Sequence, residues 1–111
     1  NCFDNTTNYR FTPNVAGYYQ VNGSAYQDLS SSGSAIRIAI YKNGSAFSYS
    51  GRSFAGSAVG PYDAQGISDI VYLNGSTDYI EAYGLINGSG TLQFYGGQIF
   101  TYFQAFLARS V

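Results

Sequence analysis

Apolar residues in this chain recur at every second position and nowhere at helical spacing. Ile36, Ile38 and Ile40 alternate with Arg37, Ala39 and Tyr41, and Tyr19, Val21, Gly23 and Ala25 alternate with Gln20, Asn22 and Ser24. A period of two sends one set of side chains to a buried face and the other outward, as in a β-strand. No segment long enough for a helix repeats its apolar positions near 3.6, and Gly or Ser interrupts nearly every window. The alternation predicts an all-β fold.

Composition narrows the rest. The 111 residues suit one domain, read here as 1–111. Five Lys and Arg against six Asp and Glu leave a net charge of −1. That lacks the basic excess that neutralises phosphates and the polybasic patch that holds proteins to anionic bilayers. No apolar run approaches the ~20 residues of a spanning helix. The expectation is therefore no nucleic-acid partner and no membrane insertion. With no His and one Cys, Cys2, neither the usual structural zinc site nor an intrachain disulfide can form. Only 10% of residues are charged while 18% are aromatic, the reverse of a disordered chain. The sequence starts at Asn1 without a Met or a signal peptide, so it reads as a fragment or a processed product.

Turn signals divide the chain. Asn-Gly-Ser occurs at Asn22–Ser24, Asn43–Ser45, Asn74–Ser76 and Asn87–Ser89. Asn-Gly suits a type I′ hairpin, whose two central residues both take positive φ. The last three are predicted to be turns. The first lies inside the alternating run Tyr18–Tyr26, so Gly23 reads as a bulge or a close backbone approach. These triplets, with Asn5-Thr6-Thr7, also match the N-glycosylation pattern, although the turn role accounts for them. The predicted strands are short edge pieces at Phe3 and Phe11, then Gly17–Tyr26, Ala35–Lys42, Ala46–Ser50, Ile67–Leu73, Asp78–Gly84, Thr91–Tyr95 and Phe100–Ala108. Gly51–Gly66 reads as a loop longer than a structural connection needs, hence functional or mobile. Short strands joined by hairpins predict a β-sandwich or jelly roll.

The last strand carries aromatic residues on both faces: Phe103, Ala105 and Leu107 on one, Tyr102, Gln104 and Phe106 on the other. One face can be the core, and the other would be a large exposed apolar patch unless another chain covers it. Tyr18 and Tyr26 on the second strand, and Tyr79 and Tyr83 beside Glu81, repeat the pattern. These residues predict an oligomer with Tyr18, Tyr26, Tyr79, Tyr83, Tyr102, Gln104 and Phe106 in its interface.

Catalysis has little to stand on. Without His, a Ser or Cys nucleophile lacks its usual base. Among the acids Asp4, Asp28, Asp63, Asp69, Asp78 and Glu81, only Asp78 and Glu81 are close, at an odd spacing that puts them on opposite faces of a strand, and Asp69 reads as a solvated cap at a strand start. No Gly-rich phosphate loop with a Lys is present. The expectation is a binding protein, not an enzyme, and no cofactor. Tyr with Asn, Gln and Ser supplies ring faces for sugar C–H surfaces and neutral hydrogen-bonding groups at low entropic cost. Exposed loops are the place for such contacts. The candidate ligand-binding residues are Arg52, Phe54, Tyr62, Asp63, Asn87 and Tyr95.

Several segments, taken in order, resemble a known family. Phe11-Thr12-Pro13 followed by Gly17-Tyr18-Tyr19-Gln20-Val21 resembles the entry to the globular head of complement subcomponent C-one-q and its tumour necrosis factor-like relatives, with Val21 in place of a Phe. Ile38-Ala39-Ile40-Tyr41-Lys42-Asn43-Gly44 looks like that family's aliphatic strand and hairpin. Leu73 with Asp78-Tyr79-Ile80 is similar to its Gly-Asp-x-Val step, with Thr77 in place of the Gly and a longer turn. Thr101-Tyr102-Phe103-Gln104-Ala105-Phe106-Leu107 resembles its closing strand. Asn1, Phe3 and Asp4 resemble a step that follows the first strand, which is therefore expected to be missing here. The resemblance implies a ten-strand jelly roll assembled as a homotrimer at the end of a fibrous stalk. It also implies that calcium is conceivable near a trimer apex, where copies of Asp63 or Asp28 would have to converge. Val15–Gly23, Tyr72–Tyr79 and Ala105–Arg109 look most like the C-terminal domains of phage tail fibres, those of marine cyanophages in particular. By that resemblance the chain is expected at the distal tip of a tail fibre on the virion. There it would bind a host-cell surface glycan or protein receptor. The alternative is a structural trimerisation head that caps a collagen-like or coiled stalk.

Overall fold

The computed structural model describes residues 2–28, 33–53, 62–89, 93–97 and 99–111, without the side chains of residues 28, 33 and 34. The alternation becomes strands throughout, and none of the described residues is helical. The strands are β1 (Phe3–Asp4), β2 (Arg10–Phe11), β3 (Gly17–Asp28), β4 (Gly33–Lys42), β5 (Ser45–Ser53), β6 (Tyr62–Leu73), β7 (Ile80–Gly88), β8 (Gln93–Phe94) and β9 (Tyr102–Ser110). They form two antiparallel sheets. One has the order β1-β2-β7-β4-β5; in the other, β3 lies between β6 on one side and β8 and β9 on the other.

Consecutive segments alternate between these sheets. β1 and β2 lie in the first, β3 in the second, β4 and β5 in the first, β6 in the second, β7 in the first, and β8 and β9 in the second. The inward faces meet in one core of Tyr19, Val21, Ile40, Val71, Leu73 and Ile80, with Phe11, Ile67, Phe103 and Ala105 packed against it. Ile36 and Ile38 continue the buried row along β4. Each fully buried aliphatic side chain stabilises the fold by about 1.5–3 kcal/mol relative to exposure.

Local chemistry fixes the turns. Asn43 (φ 52°) and Gly44 (φ 78°) both adopt positive φ in the β4–β5 hairpin, as a type I′ turn requires. Asn74 organises the β6–β7 connection: its Oδ1 accepts the backbone N–H groups of Ser76, Thr77 and Asp78 at 3.0, 2.9 and 2.9 Å. Gly75 (φ 72°) lies directly against the Val15–Ala16 backbone, where a Cβ would collide.

Two turn and loop expectations are corrected, and the choice left open at Gly23 is decided. Asn87 and Gly88 are the end of β7, paired with Ala35 and Gly33, because the β4–β7 ladder takes in the Asn-Gly pair as its last rungs. Gly23 is no bulge: it pairs in register with Ile67 and Phe103, and a Cβ there would lie 3.2 Å from Ile38 Cδ1. Close approach to the opposite sheet explains this glycine, and the register shift falls instead between Tyr18 and Tyr19. The segment Gly51–Gly66 is strand at both ends, since β5 runs to Ser53 and β6 starts at Tyr62; residues 54–61 between them lie outside the described residues. Asp69 accordingly sits within β6 and not at a strand start, and Asp78 precedes β7.

Two carboxylates lock loops and create an acid sensitivity. Asp4 accepts the backbone N–H groups of Thr6, Thr7 and Asn8 at 3.0 Å each, which hold it well below the usual carboxylate range. Asp78 accepts from Asn43 Nδ2 at 2.9 Å and pairs with Lys42 at 3.2 Å; the Asn43 bond is the main cause of its lowered pKa. A folded-state pKa below the unfolded ~3.9 stabilises above that value and stops stabilising as pH falls through it. Thermal midpoints should thus be flat from pH 7 to about 5 and decline below about 4. Asp4→Asn and Asp78→Asn should each lower the neutral midpoint and flatten that decline.

Candidate functional site

At the end of the sandwich where β3 finishes and β6 begins, four aromatic rings meet. Tyr26 stacks on Tyr62 with centroids 5.9 Å apart and planes 23° apart. Tyr95 stands edge-on to both, at 6.0 and 5.5 Å, and Phe100 leans on Tyr26 at 5.1 Å. The backbone explains why they converge. Tyr26 points outward from β3 as the rule of two dictates, and Tyr62 does so from β6. The chain after β8 is tied to β3 by the Tyr95 N–H, which donates to the Tyr26 carbonyl at 2.8 Å. Thr101 closes the loop: its hydroxyl donates to the Tyr95 carbonyl at 2.6 Å and accepts the Tyr26 N–H at 3.1 Å. A turn at Gly97 (φ 110°), whose carbonyl accepts the Phe100 and Thr101 N–H groups, lays Phe100 on the cluster. Tyr62, Tyr95 and Phe100 remain 48, 40 and 38% exposed.

Beside this cluster, Arg52 on β5 reaches across to Asp63 on β6 and forms an ion pair that joins the two sheets. Gln65 Nε2 donates to Ser50 Oγ at 2.9 Å one rung pair deeper and joins them again. Asn87 on β7 pairs with Ala35, which pairs with Ser53 on its other side, so it belongs to the same end. Four expected ligand residues thus lie at one end of the sandwich, Tyr62 and Tyr95 on the outward face of the β6-β3 sheet and Arg52 and Asp63 on the inward side between the sheets, with Asn87 on the adjoining sheet. Phe54 lies outside the described residues, as does the Asp28 side chain. Asp63 is engaged by Arg52, and among the described residues no three His, Cys, Asp or Glu side chains converge on one point. Sequence reasoning missed Phe100 as a member, although the Gly96-Gly97 pair ahead of it signals the turn that returns it to β3.

The expected interface residues divide between the sheets. Tyr18, Tyr26, Tyr102, Gln104 and Phe106 share the outward face of the β6-β3-β9 sheet, opposite the core. Ile70 and Tyr72 lie on the same face, and Tyr18, Ile70, Tyr72, Tyr102 and Phe106 are 41 to 56% exposed. Gln20, Asn22 and Ser68 form a polar patch midway, where Gln20 Nε2 donates to Ser68 Oγ, and Ser68 Oγ to Asn22 Oδ1, both at 2.8 Å. Tyr79 and Tyr83 are elsewhere. Tyr79 lies between β6 and β7 under the Arg10 guanidinium, 4.3 Å from its ring centre, and Tyr83 is on the outward face of the other sheet. The rule of two could not foresee that split, because it assigns faces and not sheets.

No family model matches this chain, and none of the curated proteins matches it.

Proposed function

We propose that the chain is a homotrimeric jelly-roll head of the C-one-q and tumour necrosis factor-like type. In this reading it serves as the receptor-binding tip of a phage tail fibre and recognises a glycan on the host-cell surface. The observation that carries the binding role is the half-exposed four-ring cluster at one end of the sandwich, held by backbone hydrogen bonds and flanked by the Arg52–Asp63 pair. Rings fixed by a scaffold present flat faces to sugar C–H surfaces with little ordering cost, and tyrosine hydroxyls add directional contacts.

The alternation of strands between two sheets supports the jelly-roll reading. The outward face of β6, β3 and β9 supports assembly, since it exposes Tyr18, Ile70, Tyr72, Tyr102 and Phe106 on either side of its polar middle. The molecule's 6501 Å² of accessible surface exceeds the roughly 6,000 Å² expected of a compact monomer of this mass. Three copies on one fibre, and several fibres on one particle, multiply weak single-site contacts into firm attachment.

The test is a glycan-array and whole-cell binding screen of wild type against Tyr62→Ala and Tyr95→Ala, with the mass of each species measured alongside. Each substitution should weaken binding at least about tenfold, ~1.4 kcal/mol, while the assembly keeps its mass. Undiminished binding by both, at unchanged mass, would remove the aromatic end as the receptor site.

A further inference from the structure

The outward face of the other sheet carries a second, unassigned groove. Arg37, Ala39 and Tyr41 on β4 are flanked by Tyr83 and Leu85 on β7 and by Ala46 and Tyr49 on β5, around a depression of about 250 Å³. Tyr41 and Tyr83 form one wall, with ring centroids 4.4 Å apart and planes tilted by 40°. Tyr49 faces them and is 75% exposed. Glycine builds the floor: a Cβ at Gly51 would meet Arg37 Cγ at 2.5 Å, so the absence of a side chain there lets the arginine stem lie flat along the face. Arg37 makes no hydrogen bond or ion pair with a described residue, unlike Lys42 and Arg52, the cations that are paired. On the groove's own strands, β4, β5 and β7, the acid of this face is Glu81, beside Tyr41 and four residues along the ladder from the rung of Arg37, or about 13 Å.

We infer that this groove is a binding site for a carboxylated sugar, with Arg37 receiving the carboxylate and Tyr49, Tyr41 and Tyr83 bordering the ring. An unpaired guanidinium on an otherwise apolar floor calls for an anion, and its fork matches a carboxylate with two parallel hydrogen bonds. The depression is smaller than the ~300–1,000 Å³ clefts that take drug-sized ligands, which suits one sugar ring at a time. Ring walls on a rigid sheet suit the C–H faces of a pyranose, and they need no loop to close. The groove is separate from the four-ring cluster and does not depend on the role given to it.

The test titrates the full chain with trigalacturonic acid and with its methyl ester, which keeps the rings and removes the charge, following backbone amide shifts. The acid should shift the amides of Gly51, Tyr83 and Leu85, and the ester should bind at least about tenfold more weakly. Arg37→Gln and Tyr49→Ala, both exposed changes that leave the core untouched, should each weaken the acid about tenfold or more. Equal binding of acid and ester, binding undiminished in Arg37→Gln, or shifts absent from this face would each overturn the proposal. So would a concentration-dependent mass that Tyr49→Ala abolishes, because another protein chain would then be the occupant.

Discussion

If copies of the chain assemble through this face as proposed, Phe106→Asp should yield folded monomers. The side chain is 56% exposed on the outward face of β9, opposite Gln20 and on the same face as Ile70, Tyr72 and Tyr102. In an isolated chain, aspartate at this position stands in water and disturbs nothing in the core, so strand content and the folded near-ultraviolet signal should persist. In an assembly the carboxylate would be buried three times over without a cation opposite. Arg109, which pairs with Tyr18 two rungs away, is the one basic residue of β9. Burying an unpaired charge costs several kcal/mol per ion, and three such costs exceed what an interface of ordinary size returns. Light scattering on the variant should report the single-chain mass of 12.0 kDa. A variant that keeps the wild-type assembly would show that this face is not the interface.

Gln27→Met should make the protein more stable, the opposite of what most core substitutions do. Gln27 is fully buried, and neither its Nε2 nor its Oε1 has a hydrogen-bonding partner among the described residues. It points inward from β3 beside Asp63 and Phe94, and the neighbouring carboxylate is taken by Arg52 and by the Ala64 N–H. Each unsatisfied buried group costs about 1–3 kcal/mol, and methionine fills nearly the same volume without a polar atom. The gain should therefore be at least about 1–3 kcal/mol, seen as a denaturation midpoint raised with an unchanged slope. A loss of stability would mean that the amide is engaged.

The fold class was legible because alternation is a local signal: Ile36, Ile38 and Ile40 on β4 state their buried face within five residues. The Asn43-Gly44 turn was legible for the same reason, since two residues carry the whole conformational demand. Strand ends were not. Asn87-Gly88 has the same local chemistry as Asn43-Gly44, yet pairing with Ala35 and Gly33 keeps it extended. Gly51 and Gly66 bound a stretch whose Gly, Ala and Ser content reads as loop, whereas each answers to a neighbour that only the folded sheet supplies: Arg37 lies over Gly51, and Gly66 pairs with Ser24. The candidate site was legible residue by residue, through exposed Tyr and Arg. The convergence of Tyr26 with Tyr62, Tyr95 and Phe100 depends on pairings between segments far apart in sequence. The division of Tyr18, Tyr102 and Phe106 from Tyr79 and Tyr83 depends on which sheet each strand joins, and a period of two carries no information on that.

Native mass by light scattering at micromolar concentration decides whether copies of this chain cover the outward face of β6, β3 and β9. The proposed assembly has three times the 12.0 kDa of the unmodified chain. A single 12.0 kDa species at that concentration, with Tyr18, Ile70 and Phe106 open to solvent, would contradict it.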